Sequence, residues 1–232
     1  MNALKRFIFL KTSFLIKIKE KKFYSQFVNK NDLCFDIGAN IGKKSRILLA
    51  CNGRVIAFEP QSGCLEHLSK INHPKFTFHP FAVGSKNKKG KLYLSNYSEV
   101  ATLSSKFIEH YTTEKVYWNK EEVVEIKSLD FLIKKYGFPN FCKIDVEGYE
   151  LKIITNLTHN IPIIEFEFTE KFKKDTIKII RYLEEKNYTF NYTLNEQLKF
   201  QMKNWVFGHE MKDIVNKLPS KNLHGNLFCR KI

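Results

Sequence analysis

The 232-residue chain predicts an α/β fold: a single doubly wound, mostly parallel sheet with helices on both faces and one helix ahead of it. Three observations point there. Short apolar runs alternate with helical patterns along most of the sequence. A hydrophobic content of 43%, including 14% aromatic residues, supplies one sizeable core. With only 10 Gly and 6 Pro, no linker divides the chain and no internal repeat is visible. We accordingly divide it into an N-terminal extension, residues 1–30, and one domain, residues 31–232.

In the extension, Leu4, Phe7, Ile8, Leu15 and Ile18 fall near one helical face, with Lys5, Lys11, Lys19, Lys21 and Lys22 elsewhere. The longest apolar run, Phe7 to Leu10, is too short to span a bilayer, and no small-residue cleavage site follows it. Two readings stand: a helix packed on the domain, or a basic amphipathic segment resting on a membrane surface. A cytoplasmic location, with peripheral membrane contact through residues 1–22 as an option, is the expectation.

The domain opens with a buried strand at Leu33–Asp36, a helix at Ile41–Cys51, a strand at Arg54–Glu59, a helix at Leu65–Ile71 and a strand at Phe76–His79. Phe81–Gly84 and Lys91–Leu94 then flank a polar SKNKKG turn, which predicts a hairpin. Residues 95–121 carry no clean period and are expected to form a mobile flap. Alternation resumes with strand Val123–Ile126, helix Leu129–Tyr136, strand Phe141–Asp145 and a helix near Tyr149–Asn156. Strand Ile161–Phe168, helix Lys174–Lys186 and strand Tyr188–Tyr192 follow. After an unassigned stretch comes a final strand near Asn226–Arg230, which the fold can accommodate antiparallel at an edge.

Charge and cysteine content narrow the function. The net charge is +15, but only five of the 39 basic residues are Arg, and the Lys are scattered. Bidentate recognition of bases and phosphates favours Arg, so a solvated surface is expected and no specific nucleic acid partner. The five Cys are an odd number with irregular spacing, which suggests neither a disulfide framework nor a zinc knuckle. Seven dispersed His form no HExxH pair, and no metal site is expected.

The first strand runs into Asp36-Ile37-Gly38-Ala39-Asn40-Ile41-Gly42, a strand, tight turn and helix start whose glycines would let the backbone approach a ligand. Asn40 stands where a GxGxxG fingerprint has its middle Gly, so a pyrophosphate is not indicated. Glu59 closes the second strand 21 positions after Gly38. A carboxylate there can accept both hydroxyls of a ribose.

Together, DIGANIG, the Phe58-Glu59-Pro60 triplet, Ala82-Val83-Gly84 and Lys143-Ile144-Asp145-Val146-Glu147-Gly148-Tyr149-Glu150 resemble the FkbM family of S-adenosylmethionine-dependent methyltransferases. Ile126-Lys127-Ser128-Leu129-Asp130 ahead of the last segment adds to the likeness, which spans about residues 31–168. The resemblance implies a class I methyltransferase (Rossmann-like), seven-stranded sheet with one antiparallel strand. It also implies O-methylation of a hydroxyl on a carbohydrate, glycoconjugate or secondary metabolite. Asp36, Gly38, Ala39, Asn40 and Gly42 would lie under the methionine part of the cofactor, Glu59 beside Pro60 would hold the ribose, and Ala82 and Val83 would line the adenine pocket. Phe81 is either an apolar wall for that ring or a core side chain.

Asp145 and Glu147 are the candidate catalytic residues, Asp145 also facing the cofactor. Methyl transfer needs an aligned acceptor oxygen and a destination for its proton. The competing reading has Asp145 capping the helix near Gly148 and Glu147 favouring that helix's positive end. Glu165 and Glu167 alternate along one strand and share a face. They either bind substrate hydroxyls or a divalent ion, or mark a strand end reaching solvent. His224 is a candidate base by proximity in this fold. Tyr97, Tyr111, Tyr117 and Trp118 would close over the small-molecule or glycan acceptor. The alternatives are a nucleic-acid methyltransferase and a catalytically silent cofactor-binding or scaffold protein. Oligomeric state is not legible in the sequence.

Overall fold

The computed structural model describes residues 15–195, 197–219 and 223–232. A helix over 15–24 (α1) precedes a seven-stranded sheet. In chain order the main elements are β1 (Leu33–Ile37), α2 (Lys43–Ala50), β2 (Arg54–Phe58), α3 (Ser62–Ser69), β3 (Phe76–His79), β4 (Phe81–Gly84), β5 (Lys88–Ser95), α4 (Ser105–Tyr111) and β6 (Trp118–Ser128). These are followed by α5 (Leu129–Tyr136), β7 (Phe141–Ile144), α6 (Glu150–Ile154), β8 (Ile163–Thr169), α7 (Lys173–Glu184), β9 (Tyr188–Leu194), α8 (Gly208–Lys217) and β10 (His224–Lys231).

The large sheet has the order β3-β2-β1-β7-β8-β10-β9. All neighbours are parallel except β10, which runs antiparallel to both β8 and β9. The expected six parallel strands and one antiparallel strand are present. Because β1 is followed in space by β2 on one side and β7 on the other, strand order reverses at β1. Ligands bind at the carboxyl ends of strands beside such a switch.

Burial on both faces explains why β1 and β7 read as unbroken buried runs. On one face, Phe35, Ile37, Ile144 and Phe166 join α5, α6 and α7 in the main core. On the other, Phe23, Tyr24 and Phe27, at and just after the end of α1, pack against α2, Phe141 and Phe228, with Phe27 stacked on Phe228 at 5.2 Å. The end of α1 is therefore docked on the domain. Its first turn is not: Leu15, Ile16 and Ile18 are about half exposed. The expectations for Leu4, Phe7, Ile8, Lys5 and Lys11 fall outside the described residues. No helix among the described residues is long and apolar enough to cross a membrane. All five cysteines are free and buried, as small core residues.

Two expectations are corrected. The predicted β4–β5 hairpin does not form: β4 pairs in parallel with β6, and β5 pairs antiparallel with β6, so β6 is the centre of a separate three-stranded sheet. Its length was underestimated because one face of an antiparallel strand can remain polar. Val124 and Ile126 are buried with Ala82 and Leu92 while Val123 is 73% exposed. Residues 95–121, expected to form a mobile flap without a clean period, contain a short 3-10 turn (Ser98–Val100), α4 and the start of β6. The unassigned stretch after β9 contains α8, which contributes Met211 and Val215 to the main core.

Candidate active site

A cavity of about 510 Å³ opens at the carboxyl edge of β1, β2 and β7, within the range that suits a small ligand. Every residue singled out in the sequence for cofactor or catalysis lines it except Gly42. The two glycines of the first turn have a steric reason within the protein itself. Gly38 has φ +75°, and a Cβ on it would lie 1.7 Å from the Asp145 carbonyl oxygen; Gly42 has φ +79°, and its Cβ would meet Leu68 and Ile71. Both answer to the protein's own packing and to left-handed backbone. Asn40 is also left-handed, at φ +47°, a conformation Asn tolerates better than most side chains.

Asn40 ties the turn to the second strand. Its N–H donates to Glu59 Oε2 at 2.7 Å, and the Gln61 N–H donates to Oε1 at 2.9 Å. Glu59 is only 6% exposed. Burial pushes its carboxyl up to about 7, against the opposing pull of those two hydrogen bonds. Asp36, buried one residue before the end of β1, accepts from the Ser45 hydroxyl at 2.6 Å, and burial raises its pKa as well.

The sheet register places Asp36, Lys143 and Glu165 side by side on one face. Glu165 is fully buried. It accepts from the Tyr24 hydroxyl at 2.9 Å and lies 3.5 Å from Lys44 Nζ, which also contacts the Tyr24 hydroxyl. A strand end reaching solvent is therefore not what Glu165 marks. Burial lowers the pKa of Lys44, partly offset by Glu165.

One rung further along lie Asp145, just past β7, and Glu167. Lys143 Nζ donates to Asp145 Oδ2 at 2.9 Å. Burial works against the Lys143 ammonium, but Asp145, Glu165 and Glu167 more than offset it and hold its pKa above the ordinary lysine value. Asp145, Glu147 and Glu167 each bring one carboxylate oxygen within 4.8 Å of the others, a spacing one cation could serve, and Lys143 is the cation built beside them. Burial first, and then neighbouring carboxylates, push Glu147 and Glu167 well above the usual carboxylate range.

Helix capping does not account for this loop. Glu150, not Asp145, accepts from the Val146 and Gly148 N–H groups, at 3.0 and 3.4 Å, and α6 has no side-chain cap bond at its start. Glu147 sits in left-handed backbone at φ +52°, its carbonyl held by the Thr102 hydroxyl at 2.7 Å. Such a conformation in a non-glycine residue persists only where its surroundings enforce it.

The remaining walls differ from expectation. None of Tyr97, Tyr111, Tyr117 and Trp118 lines the cavity. Tyr97 and Tyr117 are about half exposed, the Tyr111 hydroxyl donates to Thr169, and Trp118 Nε1 donates to the Val100 carbonyl. Ser98, Glu99, Ala101 and Leu103 line it instead, anchored by Asn40 Nδ2 donating to the Ser98 carbonyl at 3.2 Å. Phe81 is a wall residue, with its ring stacked on His79. Thr193, Asn195, His224 and Asn226 enter from the ends of β9 and β10, and Glu20, Phe23 and Tyr24 from α1. The α1 contribution was invisible in the sequence, because only the docking of that helix brings it to the sheet edge.

Comparison with known proteins agrees with this architecture. The precorrin-6y C5,15-methyltransferase of Geobacter metallireducens GS-15 superposes with a TM-score of 0.50 at 13% identity, covering 93% of this chain and 87% of that one, a likeness of fold. The hexuronic acid methyltransferase AglP of Haloferax volcanii is 26% identical over 144 residues, which cover 61% of this chain and 56% of AglP. The chain thus spans little more than half the length of that relative. Residues 36–190, well over half of the sequence, match the Methyltransferase FkbM domain, and the chain belongs to the FkbM family of S-adenosylmethionine-dependent methyltransferases.

Proposed function

We propose that this enzyme methylates a hydroxyl of a carbohydrate or glycoconjugate, with S-adenosylmethionine lying across the ends of β2, β1 and β7. The observation that carries this reading is one continuous cavity joining Glu59 and the Gly38 turn to the Asp145 rung. The donor set fits the cofactor. Each Glu59 oxygen accepts one backbone N–H and keeps a further lone pair for a ribose hydroxyl. Phe81, Ala82 and Val83 give an apolar wall for adenine, and Asp36 and Asp145 supply negative charge for the cationic end. Bound there, the cofactor supplies an activated methyl group.

Thr193, Asn195 and Asn226 offer hydroxyl and amide groups on the acceptor side, which suits a polyhydroxylated molecule, and the likeness to a hexuronic acid methyltransferase supports the same class. Residues 1–30 act as an extension of a domain spanning 31–232. The exposed Leu15, Ile16 and Ile18 beside Lys17, Lys19, Lys21 and Lys22 support peripheral contact with an anionic membrane from the cytoplasmic side.

The test is incubation with labelled cofactor and fractionated glycans, small metabolites and RNA. Label enters the carbohydrate fraction, and Asp145→Asn lowers kcat by roughly 100-fold, the scale of losing one electrostatic stabiliser. Label confined to RNA would establish the nucleic-acid alternative, which the +15 charge motivates and the low Arg content counts against. A folded protein that binds cofactor and methylates nothing would be the silent form.

A further inference from the structure

We propose that Glu147 and Glu167 act as one proton-accepting pair for the acceptor hydroxyl, and that Asp145, held by Lys143, does not take that proton. The proposal rests on the methyltransfer reading above and assigns its base. Three carboxylates meet within 4.8 Å, and the lysine beside them is committed by its 2.9 Å bond to Asp145. Asp145 therefore has a cation of its own. Glu147 and Glu167 do not share in that bond, and among the described residues neither carboxylate accepts a hydrogen bond. They come from different elements, the loop after β7 and the strand β8, and both line the cavity.

The step balances. A lone pair on the acceptor oxygen forms the bond to the methyl carbon, the carbon–sulfur bond breaks with its electron pair staying on sulfur, and S-adenosylhomocysteine leaves. The hydroxyl proton passes to one carboxylate of the doubly ionised pair and relieves the repulsion between the two charges. Two carboxylates this close resist holding two charges, so the pair is a stronger base than an isolated carboxylate. The raised pKa of both groups agrees. Charged and titratable groups facing the pair are Lys143 of β7, Asp145 just past it, Glu150 of α6 and Tyr111 of α4; Glu165 and Lys44 lie one rung behind, and His224 lines the same cavity from β10.

The placement of Glu147 adds weight to this geometry. Left-handed backbone at that position is clamped through its carbonyl by Thr102, while the Val146 and Gly148 N–H groups on either side donate to Glu150.

The experiment uses the full chain treated with EDTA. Glutamate carboxyls are titrated by carbon-13 NMR without ligand, then kcat is followed against pH for wild type, Glu147→Gln, Glu167→Gln and the double variant, with cofactor affinity measured by calorimetry. In the ligand-free wild type, two coupled carboxyls titrate above the ordinary range, and Glu167→Gln brings Glu147 back towards it. The ascending limb of the rate profile moves to lower pH in each single variant. The double variant loses about 100-fold or more in kcat, the contribution of a positioned base, while still binding cofactor. Ordinary, independent titration in the wild type would overturn the proposal, as would a limb unmoved by either single substitution. So would activity lost to EDTA and restored by magnesium, which would make the trio a cation site. Absence of cofactor binding in the wild type would instead defeat the methyltransfer reading itself.

Discussion

The two ends of the cavity hold similar residues under opposite conditions. At the β1–β2 end, Asp36 and Glu59 are buried one at a time, each satisfied by fixed donors: the Ser45 hydroxyl for one, two backbone N–H groups for the other. At the β7–β8 end, three carboxylates crowd around one lysine. Carboxylates held by fixed donors are geometrically rigid, and on the proposed reading Glu59 grips a diol. Carboxylates set against one another are poised to exchange a proton. On the proposed reading, binding and proton handling are separated by how each acid is neutralised, with the residue type unchanged.

Gly38 is the seam between the two ends, and changing it should give the largest effect. In Gly38→Ala the added methyl must displace the Asp145 carbonyl, from which it would stand 1.7 Å, and occupy backbone at φ +75°. We expect a loss of about 4 kcal/mol or more in urea unfolding, the range reserved for forced backbone conflict. A loss within about 1 kcal/mol would show that the ends are not rigidly joined.

A smaller effect separates the ends by pH. Glu59 must be ionised to accept two hydroxyl protons, and its pKa is about 7. Cofactor affinity by calorimetry should weaken about tenfold per pH unit below 7 and level off above it. In the ligand-free protein the sign reverses. A raised carboxyl pKa adds stability that is fully present below the ordinary value of 4.5 and is lost as the pH rises through about 7. Affinity flat from pH 5.5 to 8 would mean that Glu59 is ionised throughout.

Of these two ends, the first was far more legible in the sequence. DIGANIG and the Glu59 that follows are local signals: a strand end, a forced turn and a residue closing the next strand. The second depends on register. Alternation shows that Glu165 and Glu167 share a face, but not that Lys143 pairs beside Glu165 or that Glu147 is folded back towards Glu167. The aromatic residues Tyr97, Tyr111, Tyr117 and Trp118 misled because composition cannot report direction: Tyr111 and Trp118 pack on Phe107 of α4, Tyr97 and Tyr117 are about half exposed, and residues between them line the cavity. The β4–β6 pairing was hidden for the related reason that it is parallel and non-local, across an intervening strand. Helix α8 was missed because Met211 and Val215 are its only buried large apolar residues among many charged ones.

The most direct test of the whole account is calorimetry of S-adenosylmethionine with wild type and Glu59→Ala, each checked for folding. Losing two charge-assisted hydrogen bonds should weaken binding by about 100-fold, with the wild-type protein binding clearly. Equal affinity in the two proteins, or a folded wild type indifferent to millimolar cofactor, would contradict the placement of the ribose on Glu59.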